Sequence, residues 1–481
     1  MRNQETTFLW HDYETWGTQP ALDRPAQFAG IRTDNDFNQI GESINIYASP
    51  SNDFLPQPEA CLVTGLSPQK VFDLGVNEAA FFQIIFDEMI KPGTCSLGYN
   101  SIQFDDEVTR YGLYRNFFDP YEREWRNGNS RWDIINLLRL AHAIRPEGIL
   151  WPKNDEGYTS FRLEDLANEN EIMHQSAHDA LSDVRATILL AKKLKEAQPK
   201  LFDYVFNHRL KKDIVNLLDL KNFSPVLHAS PYYSAKFGFI SSIAPITYHP
   251  KNKNCIIAFD LRFDPNHILN LSIDDIKSIL SEKDRSSMAE KKALGICTIS
   301  LNKAPVIVPI NVLSSSQREK WFLCEKKELD NLSLLKESRE KIIEVSHALY
   351  SQDYFSTSDN CVDTALYEQF LTNKDKMICE SIRATEPSNL SKLNLDFDAN
   401  KLNELFFRYR ARNYPDTLSE SDKARWEKFR KDRLMSGSLE ISINASEYRK
   451  KISRLIVDPT TSADEKCILD KLINWPSFIG L

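Results

Sequence analysis

The sequence predicts an α/β fold that leads into a small β-rich segment and a helical C-terminal part, and three observations carry that prediction. Strand and helix signals alternate as far as Pro199, β-rich pieces cluster between residues 200 and 350, and helical apolar spacing dominates from Ser351 on. With 481 residues and 42% hydrophobic content, the chain is too long for one ordinary core and should divide into about two to four domains. The expected divisions are residues 1–199, 200–350 and 351–481.

The elements follow in order. Thr7 to His11 reads as a strand, and "AQFAGIRTDNDFNQIGESINIYASP" gives two more, joined by the turn-rich Thr33 to Asn38 as a hairpin. "NEAAFFQIIFDEMI" has helical spacing, and "TCSLGYN" is a short buried strand that ends at Gly98. "FDDEVTRYGLYRNFF", "SRWDIINLLRLAHAI", "SFRLEDLANENEI" and "SAHDALSDVRATILLAKKLKEAQP" read as four helices. After a helical lead-in at "LFDYVFNHRLKKDIVNLL", the pieces "PVLHAS", "SSIAPITYHP", "NCIIAFDL" and "ICTISLNKAPVIVPINVL" suggest a small barrel or sheet, interrupted by helices at "IDDIKSILSEK" and "LSLLKESREKIIEVSHALY". The last part reads as helical throughout, including "DTALYEQFL", "LNELFFRYRARN" and "DEKCILDKLINW".

Composition excludes several classes of function. No apolar run reaches the length of a membrane span, and "MRNQETTFLW" lacks the basic start and apolar stretch of a signal peptide, so a cytoplasmic protein without membrane contact is expected. Eight cysteines without a CxxC pair fit reduced thiols better than disulfides or a zinc site. A net charge of −8 argues against binding polyanions over the whole surface. One local exception is Arg408 to Arg433, with nine Lys/Arg against five Asp/Glu (9 − 5 = +4). Tyr409, Tyr414, Trp426 and Phe429 are interleaved with those bases, a mixture suited to phosphates and stacked bases.

Chemistry enters at the end of the first strand. Asp12 and Glu14 alternate, so they share one strand face, and two like charges a few ångström apart are costly unless a cation or proton lies between them. Asp105 falls where a helix begins, and helix starts favour carboxylates. His178 and Asp183 are five residues apart at the start of an amphipathic helix, about 140° apart if both were helical, which places His178 in the entry loop or first turn. Four carboxylates without cysteine favour a hard cation, Mg²⁺ or Mn²⁺. Two such ions are the usual solution for phosphodiester hydrolysis, one activating water and the other stabilising the leaving oxygen, with a neutral histidine to take the proton.

"HDYETWG", "GYNSIQFDDEVTR" and "HDALSDVRAT" resemble the three motifs of the DEDDh exonuclease superfamily. Together with "RNFFDPY", "NSRWDIINLLR", "RPEGILWP" and "YRARNYP", they resemble bacterial exonuclease I more closely, with matches spread over essentially the whole chain. The resemblance implies a ribonuclease H-like exonuclease domain, an SH3-like barrel domain and a helical C-terminal domain. It further implies Mg²⁺-dependent, processive 3′ to 5′ degradation of single-stranded DNA to 5′-mononucleotides in DNA repair, with two Mg²⁺ ions that Mn²⁺ can replace. Asp12, Glu14, Asp105 and Asp183 would then be the metal-binding carboxylates and His178 the general base. Glu14 and Arg162 would also touch the terminal nucleotide, and Arg110, Tyr121, Trp125 and Arg139 would line the DNA path. Arg145, Tyr204 and Arg339 would receive the acidic C-terminal tail of single-stranded DNA-binding protein, and the enzyme would act as a monomer. The +4 segment, with Arg408, Arg410 and Arg412, is expected to form part of the channel wall. The competing readings are a DEDDh exoribonuclease and a catalytically silent single-strand-binding scaffold.

Overall fold

The computed structural model describes residues 6–173, 179–281, 293–351, 361–368, 370–436 and 441–481. They form two compact units. One comprises Met1–Arg131, His174–Ile188 and Thr357–Leu481, and the other Trp132–Met173 and Leu189–Ser356.

The first unit holds β1 (Thr7–Thr15), β2 (Pro25–Thr33), β3 (Ile44–Tyr47), β4 (Thr94–Gly98) and the first half of β5 (Ser130–Asp133), in sheet order β3-β2-β1-β4-β5. β2 runs antiparallel and β4 parallel to β1. A central strand is covered on both faces, which is why Phe8–Trp10 reads as a continuous apolar run. Leu9 and Tyr13 face a core with Phe28, Phe81, Phe82 and Ile85. Phe8 and Trp10 pack their rings on Phe37. Gly98 lets β4 end against β1, since a Cβ there would lie 2.6 Å from the His11 carbonyl oxygen.

The C-terminal helices Asn373–Ala384, Lys401–Asn413, Glu420–Ser436, Ala445–Val457 and Ala463–Phe478 belong to the same unit. Three of them start in capping boxes, Thr372/Asp375, Asn444/Glu447 and Ser462/Glu465, which fix their N-termini locally. Tyr448, Leu469, Leu472 and Trp475 pack on Trp16, Cys61 and Leu66, while Leu402, Leu405 and Tyr409 pack on Tyr114 and Phe117.

The second unit contains β6 (Val226–Ala229), β7 (Ile240–Tyr248), β8 (Cys255–Asp260), β9 (Ile296–Ser300) and β10 (Val306–Pro309), all antiparallel, in order β10-β6-β7-β8-β9. Ile243, Ile256 and Ile299 lie in one core and Ala244, Ile246 and Phe259 in another, so the sheet is buried on both faces. Pro245 sits at the β7 irregularity, where a missing N–H is tolerated.

Two segments depart from the sequence reading. "SRWDIINLLRLAHAI" is not one helix, because Ser130–Asp133 joins the sheet as β5 and the helix begins at Ile135. Four fully buried residues are too few to show a period of their own beside ten helical ones. Among the described residues of "DTALYEQFL", only a 3₁₀ turn at Ala365–Tyr367 forms. Immediately before it, the Val362 carbonyl accepts from the Tyr114 hydroxyl at 3.0 Å.

Candidate metal centre

The face of β1 that carries Phe8 and Trp10 continues into Asp12 and Glu14, opposite Ala29 and Gln27 of β2. The β1–β2 register shifts between Glu14 and Thr15, an irregularity of the kind that re-aims side chains at strand ends. Asp183 approaches from the first turn of the helix Ala180–Ala197. One carboxylate oxygen from each of Asp12, Glu14 and Asp183 lies within 4.8 Å of the others. Asp105 opens the helix Asp105–Arg115, and its Oδ1 accepts from the Tyr13 N–H at 3.1 Å, which ties it to the backbone between Asp12 and Glu14.

The electrostatics show what this proximity costs. Burial pushes the Asp12 carboxyl well above the usual range, and Asp105, Glu14 and Asp183 push it further. Glu14, 7% exposed, is raised to about 9 by burial and then by Asp183, Asp105 and Asp179. Oxygen-only donors that can ionise together only beside positive charge match a hard divalent cation, so the residues present fit Mg²⁺ or Mn²⁺.

Neighbouring groups hold these carboxylates in place. Gln27 Nε2 donates to Asn45 Oδ1 at 2.9 Å and to Asp179 Oδ1 at 3.1 Å, and Asp179 Oδ2 accepts from the Ser182 N–H at 3.2 Å. Asp179 thus caps the helix that carries Asp183. On the other side, Asp106 is clamped by Arg123 Nη2 at 2.6 Å and Arg131 Nη1 at 2.7 Å. Burial works against ionisation of Asp106, yet Arg123, Arg131 and Arg110 hold its carboxyl far below the usual range. Sequence reasoning missed Gln27, Asp106, Arg123, Arg131 and Asp179. The only signal was the adjacency of Asp106 to Asp105 and of Asp179 to His178.

The other expected residues have varied surroundings. His178 lies outside the described residues. Arg110 is buried and committed to Glu107 at 2.9 Å and Glu124 at 2.8 Å. Its guanidinium lies over the ring of Tyr121, which also meets the ring of Phe370, 86% exposed. Trp125 is 65% exposed. The sequence reading did not single out Phe370, which stands in a row with Tyr121 and invites stacking.

In the second unit Arg139 is buried beneath Phe161 and Phe239 and donates to Asn136. Arg162 is exposed beside Glu164. Arg145 is exposed, Tyr204 stacks on His208, and Arg339 lies over Phe223 and donates to the carbonyls of Leu220 and Lys221.

The basic segment is a correction. Arg408, Arg410 and Arg412 do not present charge to a channel. Arg408 pairs with Asp363 and Glu404, Arg412 with Asp53 and Asp363, and Arg410 donates to the Thr417 carbonyl. Tyr409 and Trp426 are buried in apolar cores as well. Sequence charge counts cannot see the partners Asp53 and Asp363, which lie far away in the chain. Lys423, Arg425, Lys428 and Lys431 keep the exposed part of the positive charge.

A sheet whose central strand ends in clustered carboxylates, completed by a helix-borne aspartate, defines the class: a metal-dependent exonuclease domain. Residues 9–191 match the family model described as Exonuclease, 209–352 the Exonuclease I SH3-like domain, and 360–479 the Exonuclease I C-terminal domain. Exodeoxyribonuclease I of Escherichia coli K12 is 44% identical over 427 residues, spanning 88% of this chain and 89% of the relative. The crystal structure of Escherichia coli exonuclease I with a dA16 oligonucleotide superposes with a TM-score of 0.94 at 40% identity, covering 99% of this chain and all of that one (100%). The zinc-bound form of the same enzyme with single-stranded DNA gives a TM-score of 0.93 at 40% identity, again over 99% and 100% of the two chains. The chain belongs to the exonuclease I family.

Proposed function

We propose that this protein is a 3′ to 5′ exonuclease that removes 5′-mononucleotides from single-stranded DNA in DNA repair, using two Mg²⁺ ions held by Asp12, Glu14, Asp105 and Asp183. The observation that carries the proposal is the convergence of Asp12, Glu14 and Asp183 oxygens within 4.8 Å, with Asp105 fastened beside them, in a chain of this family. Divalent ions bound there supply Lewis acidity to the scissile phosphodiester and to the attacking water. The carboxylates hold and orient them, and His178 takes the proton from water.

A cleft of about 530 Å³ bordered by Glu14, Thr15, Thr18, Gln57, Phe104 and Lys451 is large enough for the terminal nucleotide. Glu14 stands on its rim and serves both metal and nucleotide, and Arg162 assists at the same end of the strand. Trp125, Tyr121 and Phe370 supply stacking surface that accepts any base. We assign Arg110 to shaping the Tyr121 surface from beneath, and Arg139 to supporting Phe161 and Phe239 on the DNA path. The domain divisions proposed are residues 1–199, 200–350 and 351–481. Support for a partner comes from a structural relative, solved as SSB/exonuclease I in complex with an inhibitor; Arg145, Tyr204 and Arg339 are the proposed contacts for the acidic tail. No helix among the described residues is long and apolar enough to cross a membrane, and we propose a monomer working in the cytoplasm.

The test is one gel with 5′-labelled single-stranded DNA, its 3′-blocked and 5′-blocked forms, a duplex and an RNA, each with Mg²⁺ or EDTA. Shortening of the free and 5′-blocked strands with Mg²⁺ alone supports the proposal. Attack on the 3′-blocked strand would reverse the polarity, RNA degradation would change the substrate, and complete inertness would leave a scaffold.

A further inference from the structure

Eight charged side chains form one buried network in the first unit. Asp363 accepts from Arg408, Arg412 and Arg433 at 2.6–3.0 Å and has Arg24 at 3.8 Å. Asp53 pairs with Arg412 at 2.8 Å, and Glu78 pairs with Arg115 at 2.6 Å and with Arg24 at 3.7 Å. Their side chains are 1–13% exposed. The half-buried Glu404 adds one more carboxylate, on Arg408; its other partner, Arg425, is exposed to solvent and lies outside the buried set. Five guanidiniums against four carboxylates leave one positive charge (5 − 4 = +1).

The excess falls at Arg24. Of the five it alone has only long ion pairs, and its Nη1 is buried with no hydrogen-bond partner among the described residues; Arg115 Nη1 and Arg433 Nε share that lack, but their guanidiniums hold Glu78 at 2.6 Å and Asp363 at 3.0 Å. An uncompensated buried donor of this kind is expensive, more so when it is charged. Arg24 also lines a small cavity of about 20 Å³, together with Ser49, Ser51, Glu78, Arg412 and Asn413. These neighbours are engaged elsewhere. Ser51 donates to Asp53, Arg412 to Asp53 and Asp363, and Asn413 Nδ2 to the Tyr409 carbonyl. Burial and the nearby Arg412 also disfavour the charged form of Arg24, as expected where cations outnumber anions.

We propose that this cavity is a binding site for a single halide-sized monovalent anion, chloride, which accepts from Arg24 Nη1 and neutralises the network. The anion stiffens the junction between the start of β2, the Ser49–Asp53 loop and the helix Lys401–Asn413. It is remote in function from the carboxylate centre, because its ligand is an anion and its donor is an arginine.

The test uses the full-length protein. Crystals soaked in sodium bromide are examined for anomalous scattering, and melting temperatures are compared in sodium chloride and sodium acetate at equal ionic strength. The expected results are a bromide peak beside Arg24 Nη1 and a melting temperature about 2 °C or more higher in chloride. Both should be lost in Arg24→Gln and in Ala48→Val; Ala48 is a further wall residue of the cavity, and a valine there narrows it without removing a charge. An ordered water only, a bromide bound at crystal concentration only with no chloride effect on melting, or a chloride effect that survives in both variants would overturn the proposal.

Discussion

Raising the pH in the absence of divalent metal should destabilise the protein, and Glu14 sets the size of the effect. Its folded carboxyl ionises at about 9, far above the 4.5 of an exposed glutamate. Between those values the unfolded chain has released a proton that the native chain still holds. Stability from this group is therefore fully present below about pH 4.5 and is lost as pH rises toward 9, at about 1.4 kcal/mol per pH unit.

The window from about pH 7 to 8.5 isolates it. His11, His142 and His228, lowered to about 4 by burial, act in the opposite sense only up to about 6.5, and buried thiols enter only near their ordinary value of about 8.5. Over those 1.5 units Glu14 alone costs about 2 kcal/mol, and Asp12 acts in the same direction. Divalent metal removes the reason for the proton, so saturating Mg²⁺ should flatten the slope and raise stability at both pH values. The assay is urea unfolding at both pH values with EDTA and with Mg²⁺. A stability that rises with pH in EDTA, or an equal slope with Mg²⁺, would refute the reasoning.

Other expectations follow from the same contacts. Arg412→Met should cost about 3–5 kcal/mol, because the buried Asp53 exchanges an ion pair at 2.8 Å for Arg433 at 3.9 Å, whereas Lys423→Glu on the exposed face should change the melting temperature little; equal effects in thermal unfolding would contradict this. Arg123→Met should unclamp Asp106 at the head of the Asp105 helix and weaken Mn²⁺ binding about tenfold or more, read by calorimetry. Trp125→Ala and Phe370→Ala should each weaken single-stranded DNA binding by about 1–3 kcal/mol in fluorescence anisotropy, with no change in Mn²⁺ affinity.

Elements with a strong local signature were legible in the sequence. β1 announced itself by an apolar run broken at Asp12, and the C-terminal helices by apolar spacing, as in "LNELFFRYRARN" and "DEKCILDKLINW". The carboxylates were legible because costly charges recur at element ends. β5 was hidden because four residues carry no period beside the helix that follows. The arginines of the +4 segment were misread for a different reason. Charge is a local count, but burial of Arg408 and Arg412 depends on Asp363 and Asp53, which only the folded chain brings within 3.0 Å. Gln27 and Asp179 were missed likewise, since their hydrogen bond joins residues 152 positions apart.

Asp12, Glu14 and Asp183 as metal ligands are the centre of the account, and Mn²⁺ titration tests them most directly. Calorimetry on the parent protein and on Asp12→Asn, Glu14→Gln and Asp183→Asn should show Mn²⁺ binding in the parent and its loss or severe weakening in each variant, with circular dichroism unchanged. Unaltered Mn²⁺ affinity in the three folded variants would contradict the assignment.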